Sequence, residues 1–140
     1  MIIAIDGPSA SGKSTTAKGV SKVLKILYID TGAMYRALTY GFLKDMIDLN
    51  NSIEIKKYLS NVDINFNSKN EICLNNNCLS LEIRSKNITS KVSSVSAISS
   101  VRKKMVKLQR KIAEGRSCIL EGRDIGTVVF PKAKYKFFMS

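Results

Sequence analysis

The residues with the clearest chemical potential stand near the start of the chain, in Gly7–Ser14. They follow the pattern G-x-x-x-x-G-K-[ST], in which a glycine-rich turn directs consecutive backbone N–H groups at a phosphate. Lys13 adds a mobile positive charge, and the hydroxyl of Ser14 is placed to bind Mg²⁺ directly. The pattern therefore predicts a site for nucleotide phosphates. Its predicted residues are Gly7, Pro8, Ser9, Ala10, Ser11, Gly12, Lys13, Ser14 and Thr15.

Phosphate binding by this turn requires a strand before it and a helix after it, and both are predicted. Ile2–Ile5 is a short apolar run, as in a buried strand, and Ser14–Leu27 carries apolar residues at helical spacing. A chance match in a glycine-containing turn is the alternative. Because strand, turn and helix all fall where phosphate binding requires them, the sequence favours a functional loop.

Three predicted parallel strands carry an acidic residue at their carboxyl ends: Asp6, Asp30 and Glu121. In open α/β sheets, ligands bind just outside those ends. A carboxylate there can orient Mg²⁺ through a metal-bound water, or it can cap a helix or charge a loop. We favour the metal role for Glu121, and the sequence leaves both roles open for Asp6 and Asp30.

Two further segments bring arginine to the same predicted sheet edge. Thr31 is placed as the N-cap of a helix, and Arg36 follows about one turn later, where a guanidinium can hold a phosphate through two hydrogen bonds. In residues 121–127, two glycines bracket Arg123 and Asp124, so the backbone bends tightly and presents both charges. A simple surface ion pair is the alternative for these two residues.

Composition narrows the possible chemistry. The chain has 140 residues, a formal net charge of +12 and no histidine, which excludes histidine acid–base catalysis, Ser–His triads and Cys/His zinc sites. The positive excess attracts polyanions, either nucleic acid or nucleotide phosphates. The lysines follow predicted helix faces without interleaved aromatic residues, which argues against a nucleic-acid partner. Without a membrane-length apolar run or a signal peptide, we expect a cytoplasmic protein with no membrane partner.

The three cysteines are expected to be reduced. An odd number in a chain of this kind argues against a disulfide framework. Cys73 and Cys78 flank three asparagines and can face each other across a hairpin, although two free thiols on short strands is the favoured interpretation. Cys118 lies in an apolar run and is predicted to be a small core residue.

The order of apolar patterns predicts an α/β fold with a parallel sheet, formed as one domain over residues 1–140. The pattern changes in about residues 52–84, where short alternating runs predict a small antiparallel insertion with too few apolar residues to be stable alone. Helices are predicted again in residues 88–98 and 101–114, and buried strands in residues 117–121 and 135–139.

These motifs together give the chain a specific resemblance. It is similar to the N-terminal part of the bacterial-type cytidylate kinases in Ile5–Ser14, Asp30–Arg36 and Glu121–Pro131, while Glu82–Arg84 and Val101–Arg102 also fit. The resemblance covers essentially the whole chain. It implies the P-loop NTPase fold, with three layers around a parallel sheet, and it implies that the antiparallel insertion is the monophosphate-binding subdomain.

The resemblance also implies an activity: transfer of the γ-phosphate of ATP to CMP or dCMP, with Mg²⁺ as cofactor. A carboxylate and a guanidinium suit the cytosine edge, which offers an amino donor beside two acceptors. The implied catalytic residues are Lys13, Arg36 and Arg123. The implied CMP-binding residues are Thr31, Arg36, Ser93, Arg102, Arg123 and Asp124.

The chain departs from the family pattern in two ways. Glu121 stands where aspartate is common, which keeps the charge and lengthens the reach. Relatives continue well beyond Ser140, with an arginine-rich lid and further catalytic arginines, so we expect nucleotide binding with slow transfer. Three alternatives stay open: a kinase of this fold for another nucleoside monophosphate or shikimate, a nucleic-acid-binding protein, and a nucleotide-binding fragment without turnover. We expect a monomer.

Overall fold

A computed structural model describes residues 1–140. It divides into two compact units: the first comprises Met1–Gly32 and Gln109–Ser140, and the second Ala33–Leu108. The prediction of a single domain stays a prediction. No helix is both long enough and apolar enough to cross a membrane. The elements are β1 (Ile2–Asp6), α1 (Lys13–Leu24), β2 (Leu27–Asp30), α2 (Thr31–Lys44), α3 (Ser52–Asn61), β3 (Ile64–Phe66), β4 (Ile72–Leu74), β5 (Asn77–Cys78), α4 (Lys86–Ser96), α5 (Ser99–Ala113), β6 (Cys118–Gly122) and β7 (Tyr135–Phe138).

The first unit contains a four-stranded parallel sheet with the order β2-β6-β1-β7. Strand β6 lies between β2 and β1, and its register pairs Glu121 with Asp30 on one side and with Ile5 on the other. The acidic strand ends therefore meet at one edge of the sheet, as the sequence predicts. This parallel sheet, together with a small antiparallel sheet in the second unit, confirms the predicted fold class.

Apolar side chains from the strands of the first unit pack against α1. The core cluster comprises Ile3 and Ile5 of β1, Tyr28 of β2, Ile119 of β6 and Ala17 of α1, each at most 7% exposed. Burial of this apolar surface is the main stabilising contribution, because removing such area from water is worth about 25 cal/mol per Å². The cluster holds α1 against the sheet through Ala17.

The prediction for the last strand is right in position and wrong in burial. Strand β7 pairs with β1 alone and forms an edge of the sheet. Its residues are exposed, including Phe137 at 56% and Phe138 at 72%. An apolar run indicates a strand, but its burial depends on which elements cover the sheet edge.

The second unit contains a three-stranded antiparallel sheet of β3, β4 and β5. Asn75 and Asn76 connect β4 to β5 with positive φ angles of 48° and 69°, a conformation that asparagine tolerates in tight hairpins. The preceding Ser52–Asn61 is a helix, whose N-cap residue Asn51 accepts hydrogen bonds from two backbone amides. The antiparallel strands thus begin only at Ile64, and the limits of about 52–84 for an insertion stay a prediction.

The core of the second unit includes apolar side chains of α2. Met34, Leu38 and Phe42 are completely buried. The ring of Phe42 meets that of Tyr58 edge to face, with centroids 5.0 Å apart. Such a pair contributes about 0.5–1.5 kcal/mol beyond its buried area.

The prediction that Cys73 and Cys78 are free thiols is wrong in the structure. The two residues face each other in the register of β4 and β5 and form a disulfide across the hairpin. An odd cysteine count says nothing about one local pair, and the hairpin register is what brings these two together. Cys118 is a buried free cysteine, as predicted.

These thiol states give a first testable result. Burial raises the pKa of the Cys118 thiol to about 11, so its thiolate fraction at pH 8 is about a hundredfold below that of an ordinary thiol. We expect iodoacetamide to label no cysteine in the native unreduced chain, one after unfolding, and three after unfolding with reductant, as counted by mass spectrometry. Three labels in the unfolded unreduced chain would contradict the disulfide.

Candidate active site

The turn between β1 and α1 requires glycine at two of the positions that the motif specifies. Gly12 adopts φ 87°, a left-handed conformation that disfavours other residues. At Gly7, a Cβ atom would clash with the backbone carbonyl of Met139. The local backbone therefore explains both glycines of the predicted phosphate loop.

No side chain caps the first turn of α1, and no acidic side chain lies in it to balance the helix dipole. Its N-cap residue Gly12 has no side chain to accept hydrogen bonds, and the turn contains no acidic residue. Helices α3 and α4, in contrast, are capped by the side chains of Asn51 and Ser85. Unpaired N–H groups and the helix dipole favour an anion at such a terminus.

The phosphate loop carries polar side chains whose surroundings differ. The Lys13 ammonium donates to the carbonyl oxygen of Pro8 at 3.1 Å, so the charge lies over the loop. The hydroxyl oxygen of Ser11 is buried and has no hydrogen-bond partner in the structure. Ser14 and Thr15 follow in the first turn of α1. This arrangement can accept the oxygens of a phosphate.

Glu121 connects the end of β6 to the phosphate loop. Its side chain is only 3% exposed. The hydroxyl of Ser14 donates to Oε2 at 2.9 Å, and the hydroxyl of Tyr28 donates to Oε1. The two residues predicted to bind Mg²⁺, Ser14 directly and Glu121 through a water, are thus joined by a hydrogen bond. Their metal roles stay predictions.

Sequence reasoning did not identify Tyr28 as part of the site. Burial raises the pKa of Tyr28 above its usual range, and the charges of Asp30 and Glu121 add to the increase. A tyrosine in an apolar strand is predicted to be a core residue, and the ring of Tyr28 does lie in the core. The only signal for its second role is the parallel register, which places position 28 two residue pairs away from position 121 and on the same face of the sheet.

Asp6 has a structural role that the sequence left open. Its two carboxylate oxygens accept hydrogen bonds from the amides of Ile125 and Gly126, each at 2.8 Å. All three residues are buried. Asp6 therefore ties the end of β1 to the π-helical turn Ile125–Val129 that follows Arg123 and Asp124.

Arg123 reaches the phosphate loop. Its guanidinium donates to the hydroxyl of Ser9 at 2.7 Å, which joins two segments 114 positions apart in the chain. Asp124 is the residue that precedes the π-helical turn. The structure thus brings the loop after β6 into contact with the loop after β1.

Thr31 contacts the strand that carries Glu121. It is the first residue of α2 rather than the residue before the helix, and its hydroxyl donates to the backbone carbonyl of Glu121 at 2.7 Å. A Cβ atom at Gly122 would come within 2.5 Å of this hydroxyl oxygen. The close approach explains why glycine follows the carboxylate.

The remaining predicted site residues belong to the second unit. The Arg36 guanidinium donates to the carbonyl of Ile83 at 3.3 Å and to the hydroxyl of Thr89 at 3.0 Å. Ser93 lies on α4 and Arg102 on α5, and both are exposed. The substrate-binding roles of these residues stay predictions, and Thr89 is an Arg36 partner that the sequence did not indicate.

The oxygen donors near the phosphate loop fit Mg²⁺. This ion prefers hard oxygen ligands, keeps several waters and takes one or two protein ligands besides substrate phosphates. The Ser14 hydroxyl and the Glu121 carboxylate supply such oxygens 2.9 Å apart. The structure contains no group of three or more acidic or cysteine side chains that could hold a metal ion.

A parallel sheet, a glycine-rich turn and an uncapped helix that starts with Lys13 and Ser14 define a P-loop protein of the α/β class. The family model for cytidylate kinase matches residues 3–140. The chain therefore belongs to the cytidylate kinase family.

Curated relatives agree with this family. The chain is 52% identical over 139 residues to the cytidylate kinase of Clostridioides difficile (strain 630), covering 99% of the chain and 64% of that relative. It is 46% identical to the cytidylate kinase of Halalkalibacterium halodurans, and the match covers 100% of the chain and 64% of that relative. A bifunctional pantoate ligase/cytidylate kinase of Prochlorococcus marinus is 49% identical, and the match covers 99% of the chain and 28% of that relative. The chain thus spans less than two thirds of the length of these relatives.

Proposed function

We propose that this protein transfers the γ-phosphate of ATP to CMP or dCMP, giving ADP and CDP or dCDP. One observation carries the proposal. The phosphate loop and the loop after β6, two segments on which the family resemblance depends, are in contact through Arg123 and Ser9 at 2.7 Å. This contact supports a proposed transfer site in which the phosphate loop and Arg123 act on one phosphoryl group.

The donor side of this reaction is built from the start of α1. Its backbone amides and the Lys13 ammonium would hold the β- and γ-phosphates of ATP. Ser14 would bind Mg²⁺ directly and Glu121 through a metal-bound water. The metal would neutralise charge that develops on the phosphate oxygens.

The acceptor side depends on arginine and on base recognition. Arg36 would hold the acceptor phosphate and Arg123 would line the transfer region, each supplying a planar fork of donors. No strong general base is needed, because a nucleotide phosphate is already ionised at neutral pH. Catalysis then consists of positioning and charge stabilisation. The other proposed CMP contacts are Thr31, Ser93, Arg102 and Asp124.

A coupled ADP-release assay tests the proposal. It should be run on this chain and on an extended chain, in which the C-terminal third of the C. difficile relative follows Ser140. We expect the extended chain to use CMP and dCMP in preference to UMP, AMP, GMP and shikimate. Preference for another acceptor would indicate a different kinase, and ATP binding without turnover in both chains would indicate a nucleotide-binding protein only.

Substitution of Asp124 tests base recognition separately. We expect Asp124→Ala in the extended chain to lower kcat/KM for CMP by about 10–100-fold, since a hydrogen bond to a charged group is worth about 1.5–3 kcal/mol. The affinity for ATP should be unchanged, as measured by calorimetry. Asp45→Ala, at an exposed position, is the matched control. Equal CMP turnover by the two variants would refute the role of Asp124.

The monomeric state and the cytoplasmic location stay predictions. Light scattering coupled to gel filtration tests the first, with a mass close to 15.5 kDa expected for this chain. Fluorescence microscopy of a tagged chain in a bacterial host tests the second.

A further inference from the structure

The buried carboxylate of Glu121 is satisfied by two neutral hydroxyl groups. Tyr28 donates to Oε1, and Ser14 donates to Oε2 at 2.9 Å. A carboxylate that is 3% exposed is costly to keep ionised unless its oxygens accept hydrogen bonds. Since Ser14 belongs to the phosphate loop, Tyr28 is the donor that comes from the core of the sheet.

The register of the sheet explains why a tyrosine performs this role. Strands β2 and β6 pair Tyr28 with Ile119 and Asp30 with Glu121. Side chains two positions apart on a strand point to the same face, so Tyr28 and Glu121 are diagonal neighbours on one face, two residue pairs apart and within reach of an aromatic side chain. The ring fills the core, where it packs with Ile5, and the hydroxyl extends to the carboxylate. Phenylalanine would keep the packing and remove only the donor.

We propose that Tyr28 is a positioning residue, which holds Oε1 of Glu121 so that Oε2 stays directed at Ser14. A glutamate side chain has three rotatable bonds, and hydrogen bonds to both of its oxygens select one arrangement. The carboxylate is then preset for the metal that accompanies the nucleotide. This inference rests on the proposed function, because Mg²⁺ arrives there with ATP.

Calorimetric titration of ADP and ATP with and without Mg²⁺ tests the inference on the chain as it is. The quantity of interest is the magnesium gain, the ratio of the dissociation constant in EDTA to that in Mg²⁺. We expect Tyr28→Phe to lower this gain about tenfold, as loss of a group that orients a metal's neighbours does. The affinity without metal should be unchanged. Tyr58→Phe, a partly buried tyrosine of α3, should match the wild type in both.

A second variant covers the case in which Tyr28→Phe folds poorly. Glu121→Asp keeps the charge and shortens the reach, so it should lower the magnesium gain by a similar factor. Adding Tyr28→Phe to it should cause no further loss, because the two groups act as a unit. If Tyr28→Phe weakens nucleotide affinity equally in Mg²⁺ and in EDTA, Tyr28 has only a structural role.

The possible failures are distinguishable. A Tyr28→Phe chain with the wild-type magnesium gain overturns the positioning role and leaves the proposed function standing. The positioning role is also overturned if the double variant lowers the magnesium gain by the product of the two factors found for the single variants. A wild-type chain that binds neither nucleotide overturns the proposed function and this inference together.

Discussion

Replacing Lys13 by methionine is expected to reduce phosphoryl transfer by about 10²–10³-fold in the extended chain, which is the usual effect of removing one group that stabilises transition-state charge. Methionine retains the length and much of the packing of lysine and removes the positive charge. The ammonium donates to Pro8 in the structure, so it can move onto a phosphate without a change of backbone. The measurement is kcat for CMP in the coupled assay.

Lys18→Met is the matched control for this substitution. Lys18 lies in the same helix at an exposed position, away from the phosphate loop. Its removal subtracts the same charge from the chain and should leave kcat unchanged. If both variants lose the same activity, net charge rather than the phosphate loop determines the rate, and the assignment of Lys13 fails.

The largest effect on stability is expected for Asp6→Ala. The substitution leaves the buried amides of Ile125 and Gly126 without acceptors, and each such loss costs about 1–3 kcal/mol. We expect the free energy of unfolding in urea to fall by about 2–5 kcal/mol, a large fraction of the stability of an ordinary domain.

Two comparisons make the Asp6 prediction specific. Asp6→Asn retains one acceptor oxygen and places an amide group opposite a backbone N–H, so its loss should be intermediate. Asp45→Ala, which removes an exposed carboxylate, should change stability by less than about 0.5 kcal/mol, as surface substitutions usually do. An Asp6→Ala chain as stable as this control would show that the turn after β6 does not depend on Asp6.

The phosphate loop and its flanking elements were predictable because their signals are local. Strand β2 ends at Asp30, where the sequence places a strand end, and β1 and α1 lie within a few positions of the predicted limits. Apolar periodicity identifies each element, while the glycines require a particular backbone between them. Parallel strands were also expected to bring their acidic ends to one sheet edge, whereas the pairing of Glu121 with Asp30 follows from the strand order in the structure.

Helix α3 was missed although the sequence contains a signal for it. Asn51 is followed three residues later by Glu54, which is a common start of a helix, and Ile55 and Leu59 are four residues apart. Both apolar residues are buried. Because the strands that follow alternate strongly between apolar and polar residues, residues 52–61 were assigned to the same antiparallel insertion.

Other features depend on contacts between distant segments. The hydrogen bond from Tyr28 to Glu121 spans 93 positions, and the bonds from the amides of Ile125 and Gly126 to Asp6 span about 120. Composition and spacing cannot distinguish a metal-orienting aspartate from one that binds backbone amides, because both need a carboxylate at a strand end. Only the register and the turn after β6 decide between the two roles.

The strand order β2-β6-β1-β7 has a consequence for biosynthesis. Strands β1 and β2 leave the ribosome early, yet they do not pair with each other, because β6 lies between them. The nascent chain must therefore carry the P-loop without its sheet until Cys118–Gly122 has been translated. Pairings so far apart in the chain form slowly. During that interval the apolar β1 has no strand partner, so chaperone capture or premature association competes with folding at this stage of synthesis.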